Sequence, residues 1–168
     1  MRLRWWPLVA ALAISSGAVS SADALRKVLP EDLFALALID DAQISHDGRQ
    51  VAFVVTRLDG PHNRYRSAIW LAPADASAQP RQITQGQNDE TPRWSPDDGT
   101  LAFVRRAAGK PQIYALDLRR GGEAQALTSA KDGARDPIWS HDGKRILFHA
   151  TLRDPQGKAE VDWQIPDI

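Results

Sequence analysis

The chain contains no cysteine in 168 residues, which excludes disulfide scaffolds, thiolate nucleophiles and zinc sites built on Cys ligands. It also has no excess of either charge: 21 Lys and Arg stand against 21 Asp and Glu. No basic excess is available to neutralise a phosphate backbone, so nucleic acid is not an expected partner. Apolar residues at 43% and charged residues at 25% are ordinary globular proportions and exclude wholesale disorder. No pair of histidines has H-x-x-x-H spacing, and no D-x-D-x-D-G loop with a distal Glu exists. His46, His62, His141 and His149, and Asp47, Asp97, Asp98 and Asp142, therefore do not form a recognisable metal site. No cofactor is expected.

What is present begins with an address. Arg2 and Arg4 precede an apolar run from Trp5 to Ile14, and small residues follow to Ala24. Ser20-Ser21-Ala22 or Ala22-Asp23-Ala24 supplies a small-x-small cleavage pattern, so residues 1–24 read as a secretory signal peptide. The run is shorter than the ~20 apolar residues of a spanning helix, and no membrane anchor is expected after cleavage. The expected location is periplasmic or secreted. Residues 25–42 read as a lead-in with a short helix from Leu29 to Leu38. Pro30 suits its first position, Glu31 and Asp32 complement its dipole, and Leu33, Phe34, Ala37 and Leu38 share a face.

The remainder is repetitive. Ser45-His46-Asp47-Gly48, Ser95-Pro96-Asp97-Asp98-Gly99 and Ser140-His141-Asp142-Gly143 each precede an apolar run. Those runs are Val51–Val55, Leu101–Val104 and Ile146–Phe148. The serines lie 50 and 45 residues apart, and Phe53, Phe103 and Phe148 repeat the same intervals. Trp70 and Tyr114, and Thr84 and Thr128, are each 44 residues apart. Four short strands per unit follow, with Asp-Gly supplying the positive φ of a tight hairpin. Asp97-Asp98-Gly99 predicts a loop one residue longer. Apolar runs that do not alternate predict strands covered on both faces, with Phe53 and Phe103 equally buried. Ser45, Ser95 and Ser140 recur once per unit, which marks them as turn residues rather than nucleophiles. Trp70, Trp94, Trp139 and Tyr114 read as packing residues, and Arg105-Arg106 and Arg119-Arg120 as solvated pairs.

The repeat resembles the W-S-P-D-G blade of TolB-like proteins and of the propeller in the prolyl oligopeptidase family of serine peptidases. Pro30-Glu31-Asp32-Leu33 and Asn63-Arg64-Tyr65-Arg66-Ser67-Ala68-Ile69-Trp70-Leu71 resemble the lead-in and first-blade strand of its acylaminoacyl-peptidase and dipeptidyl-aminopeptidase members. His46 and His141 stand where that motif has proline. The resemblance implies an all-β, partial β-propeller. Residues 43–168 would form it, as blades at about 43–84 and 92–128 and an incomplete third at 137–168. It further implies that the propeller gates access of short peptides to an α/β-hydrolase domain following it. No G-x-S-x-G elbow occurs in the chain, so no residue here can receive the family's catalytic roles, and the expectation is a truncated portion inactive alone. The alternatives are a TolB-like envelope propeller that binds a protein or peptide, and a small β protein that closes by self-association of its blade edges.

Overall fold

The computed structural model describes residues 27–85, 88–107 and 109–151. The segment read from sequence as a signal peptide and the tail from Leu152 to Ile168 lie outside these residues, as does most of the expected third blade's second half.

Among the described residues, ten strands form three antiparallel sheets. Blade 1 contains β1 (Ala37–Ile44), β2 (Gln50–Asp59), β3 (Arg64–Pro73) and β4 (Arg81–Gln82), hydrogen-bonded in that order. Blade 2 repeats the pattern with β5 (Asp89–Trp94), β6 (Thr100–Ala107), β7 (Lys110–Asp117) and β8 (Gln125–Ala126). Blade 3 is described as the pair β9 (Ala134–Trp139) and β10 (Ile146–Ala150). The first strands β1, β5 and β9 neighbour one another. The short strands β4 and β8 close the opposite edges of the two complete blades. This is the radial arrangement of propeller blades.

The lead-in differs from its sequence reading. Pro30–Ala35 is a short 3-10 helix of six residues, capped by Asp32 accepting from the Leu29 N–H at 2.8 Å. Leu36 is already extended, and Ala37 pairs with Arg57. The ladder with β2 satisfies the backbone groups that a continued helix would have used, and six residues are too few for a helix to persist on propensity. Leu33, Phe34 and Leu38 are accordingly half exposed rather than sharing a buried helical face.

Each blade also starts earlier than the motif suggests: at Ala37, Asp89 and Ala134. Asp41, Thr91 and Asp136, each four residues before the turn serine, adopt left-handed φ of 43°, 58° and 54°. Register shifts between Asp40 and Gln43, between Glu90 and Arg93, and between Leu147 and His149 mark a bulge repeated in every first strand. No glycine announces it.

The turn of blade 2 is not longer than the others. Each serine stands six residues before the first apolar residue of the next strand. Asp98 (φ 55°) occupies the left-handed position held by Gly48 and Gly143 (φ 70° each), and Gly99 takes the place of Arg49 and Lys144. Aspartate tolerates this region better than most side chains.

The main core lies between blades 1 and 2. Ala52, Ile69 and Leu71 on one sheet meet Trp94, Leu101, Phe103 and Leu116 on the other. The opposite face of blade 2 carries Ala102, Val104, Ile113 and Ala115, all buried, toward blade 3. Phe103 is fully buried, whereas Phe53 is only half-buried. The reason is positional. Residues 51, 53 and 55 face away from blade 2, where the described chain has no preceding sheet. A threonine two residues beyond each outer strand closes the ladder: Thr84 Oγ1 accepts the Ile69 N–H at 3.0 Å, and Thr128 Oγ1 accepts the Ile113 N–H at 2.9 Å.

Gly48 has no neighbour within 4 Å of a built Cβ, so only its φ of +70° restricts substitution. Gly48→Val in the full chain is expected to lower stability by about 1–2 kcal/mol, and Arg49→Val by less than about 0.5 kcal/mol. Chemical denaturation of both variants checks this, and equal midpoint shifts would contradict the turn assignment.

Candidate functional site

The repeated serines are fully engaged inside their own turns. Ser45, Ser95 and Ser140 donate to Asp47, Asp97 and Asp142 at 2.7, 2.7 and 2.6 Å. Each also accepts the backbone N–H five residues ahead, at 2.9 Å. The aspartates accept a further backbone N–H from Arg49, Gly99 and Lys144. Hydrogen bonds from the serines, and secondarily from those amides, hold all three carboxyls below their ordinary value. None of these serines is bonded to a histidine among the described residues.

The histidines are dispersed. His46 meets Asp98 at 2.9 Å, His62 meets Asp59 at 2.9 Å, and His149 meets Asp136 at 3.0 Å. His141 lies exposed in the third turn. Among the described residues, no group of three or more His, Cys, Asp or Glu could hold a metal ion.

Side chains that cross between blades form the most developed polar geometry. Trp94 Nε1 donates to the Gln43 carbonyl at 3.0 Å, and Trp139 Nε1 donates to the Arg93 carbonyl at 3.1 Å. The acceptor in each case lies two residues before the preceding blade's serine. Asp98 reaches back to the first turn, accepting the N–H groups of His46 at 2.8 Å and Asp47 at 2.9 Å. Burial pushes the Asp98 carboxyl up, but these hydrogen bonds outweigh it and leave it below its ordinary value. Arg93 Nη1 bonds both Asp41 oxygens at 3.0 Å, joining β5 to the bulge of β1.

Arg105 departs from the solvated pair expected. Its Nε and Nη2 grip Asp89 at 2.7 and 2.9 Å, and Asp89 is completely buried. The guanidinium also lies 5.3 Å from the Phe103 ring centre and 5.0 Å from that of Tyr114, whose rings stack on each other. The Asp89 hydrogen bonds raise the Arg105 pKa further despite its burial. Counting the β5–β6 hairpin in unbroken register from Trp94 and Leu101 would place Asp89 opposite Arg106; the bulge at Thr91 shifts the register by one residue and brings Asp89 opposite Arg105. Arg106 lies 3.5 Å from Glu90, and Arg119 bonds Asp97 at 2.9 Å, whereas Arg120 is largely exposed.

Beside the first strands, a shallow cleft of about 310 Å³ contains Asp40, Asp41, Thr56, Tyr65, Asn88 and Glu90. Carboxylates, amide and hydroxyls make it rich in acceptors, suited to hold an ammonium group or backbone N–H groups of an extended peptide. It contains no nucleophile with a base beside it.

Comparison with known proteins adds a consistent pattern. The family described as TolB beta propeller domain matches residues 41–164. The Bacillus subtilis protein named uncharacterized peptidase YuxL is 34% identical over 144 residues, which is 82% of this chain and 22% of the relative. The solved acylaminoacyl peptidase of Pyrococcus horikoshii aligns with TM-score 0.57 and 26% identity, over 68% of this chain and 17% of that one. TolB from Acinetobacter baumannii aligns with TM-score 0.51 and 26% identity, over 70% of this chain and 27% of that one. The chain thus spans about a fifth of the length of the peptidases it matches.

Two outcomes follow from the polar geometry. Removing one partner of the buried pair, as in Arg105→Met, is expected to cost about 3 kcal/mol by leaving Asp89 uncompensated, and Asp89→Leu with Arg105→Met is expected to recover much of it. A urea double-mutant cycle measures both. The turn carboxyls, depressed in the folded state, contribute stability that is complete above their unfolded pKa of about 3.8 and is lost as pH falls through the folded values. The melting temperature should therefore hold steady at neutral pH and fall below about pH 4, with a shallower acid limb in Ser95→Ala. An unchanged acid limb would contradict the assignment.

Proposed function

The chain belongs to the TolB β-propeller domain family, and from that premise we propose that it is the propeller portion of an exported serine peptidase acting on short peptides. In this reading residues 27–151 supply a wall rather than chemistry. Three radially set blades with their first strands side by side border a passage, and Asp40, Asp41 and Glu90 offer acceptors to an extended peptide on its way to a hydrolase domain. Rigid sheets locked by Trp94, Asp98 and Trp139 suit a size filter, since loops that yielded would admit folded proteins. The location proposed is the cell envelope, reached by the signal segment at residues 1–24.

One observation carries the reading: likeness to a protein named as a peptidase extends over 82% of the chain. The A. baumannii TolB alignment favours a second reading, a non-catalytic envelope propeller that binds a protein or peptide. A fluorophosphonate probe applied to the intact gene product separates them. Stoichiometric labelling of a serine outside residues 1–168, with none on purified residues 25–168, is the expected outcome. An intact product that contains only propeller repeats and takes no label would establish the second reading instead.

A further inference from the structure

Arginine is concentrated at one end of blade 1. Arg57 stands directly opposite Arg66 across the β2–β3 ladder, and Asp59 stands opposite Arg64. Positions 57, 59, 64 and 66 share the sheet face turned away from blade 2, so three guanidinium groups meet one carboxylate there. Like charges placed directly opposite each other on a sheet cost stability, and an anion between them removes that cost. In a chain whose charges otherwise balance, this local surplus of positive charge marks the spot.

Asp59 neutralises only part of it. Arg66 Nε bonds Asp59, His62 Nδ1 meets it at 2.9 Å, and Arg64 Nε lies 3.7 Å away. Hydrogen bonding from His62, and secondarily from Arg66, holds the Asp59 carboxyl below its ordinary value, so it stays ionised and occupied. Arg66 commits Nε alone and keeps both terminal nitrogens in reserve among the described residues. Arg57 is exposed and has no acidic partner among the described residues.

The space beside these groups has two chemically different ends. An open cleft of about 590 Å³ runs along Arg57, Arg66, Val55, Ala68, Trp70 and Gln85. Successive same-face pairs are Arg57 with Arg66, Val55 with Ala68, and Phe53 with Trp70, so cationic side chains give way at once to apolar ones. The Trp70 indole N–H has no acceptor among the described residues, whereas those of Trp94 and Trp139 are engaged. A guanidinium is a planar fork that fits a carboxylate through two parallel bonds. The apolar end then receives whatever the carboxylate is attached to. Free phosphate would use the cationic end only.

We propose that this cleft binds an organic carboxylate with an apolar body, held by Arg57 and Arg66 and packed on Val55, Ala68 and Trp70. The cleft itself supports that ligand class. That the carboxylate arrives on a peptide, as its C-terminus or as an acidic side chain, rests on the function proposed above.

Isothermal titration of the intact protein tests the site, after treatment with the fluorophosphonate probe so that no ligand is cleaved. Acetyl-Ala-Ala-Phe is expected to bind at least tenfold more tightly than its C-terminal amide or inorganic phosphate. Acetyl-Ala-Glu-Phe-amide names the source. Recovered binding supports the site with a side-chain carboxylate as ligand, and binding as weak as the first amide supports it with the terminus alone. Arg57→Gln should lose at least tenfold in affinity, whereas Arg120→Gln, the same charge change at an arginine 89% exposed, should lose none. Without ligand, Arg57→Gln should melt no lower than the unmodified protein, because it removes a like charge facing Arg66. Equal binding of acid and amide, phosphate binding as tight as the peptide's, or equal affinities in the two arginine variants would overturn the proposal. So would a lower melting temperature of unliganded Arg57→Gln, since that would mean Arg57 serves a partner within the protein. Binding is measured whether or not a serine takes the probe, so failure of the peptidase reading and failure of this site give different results.

Discussion

Four consecutive side chains from Leu101 to Val104, none more than 4% exposed, require apolar cover on both sides of one sheet. That requirement organises the molecule. A helix has one buried stripe and an ordinary half-buried sheet one buried face, but a blade of this kind has two, so it is stable only between neighbours. Everything that distinguishes the three blades follows from who their neighbours are. Blade 2, with both, buries both faces. Blade 1 leaves Phe53 half-covered on the side away from blade 2, and blade 3 leaves Leu147 exposed on its outer side.

The polar contacts between blades serve register more than adhesion. Apolar faces can slide, and a slip of one residue would reverse every side chain in a strand. Trp94 and Trp139 fix the relative height of successive first strands through one hydrogen bond each, and Asp98 and Arg93 fix it again at the turn and at the bulge. Asp89 and Arg105 act within blade 2, where a buried bidentate pair fixes the pairing of β5 with β6 on the inner side of the bulge. Such pairs specify an arrangement more than they stabilise it.

The sequence made the repeat, the strand count of the two complete blades and the structural role of the serines legible, because each rests on a local pattern: a turn, an apolar run, a fixed interval. It concealed three features for physical reasons. The bulges at Asp41, Thr91 and Asp136 place non-glycine residues at positive φ, so the usual marker is missing. The Asp98 turn reads as an insertion because aspartate replaces glycine at the left-handed position, and the role that favours it there lies in the neighbouring blade. The lead-in has helical local signals, but its second half is held extended by pairing with residues some twenty positions away. Contacts between blades are set by tertiary packing, and no single segment encodes them.

Blade 1 is assembled entirely from residues 37–82, with all four strands in chain order. Its most widely separated ladder partners are Gln50 and Pro73, and blade 2 is built the same way. Contact order within each blade is therefore low for an all-β protein, and pairing need not wait for distant chain. During synthesis a blade can acquire its hydrogen bonds soon after its last strand leaves the ribosome, each new one growing on the apolar face of the one before. The same autonomy means that a whole blade can be duplicated or lost by a single genetic event without breaking any sheet, so blade number is the property of this architecture freest to change.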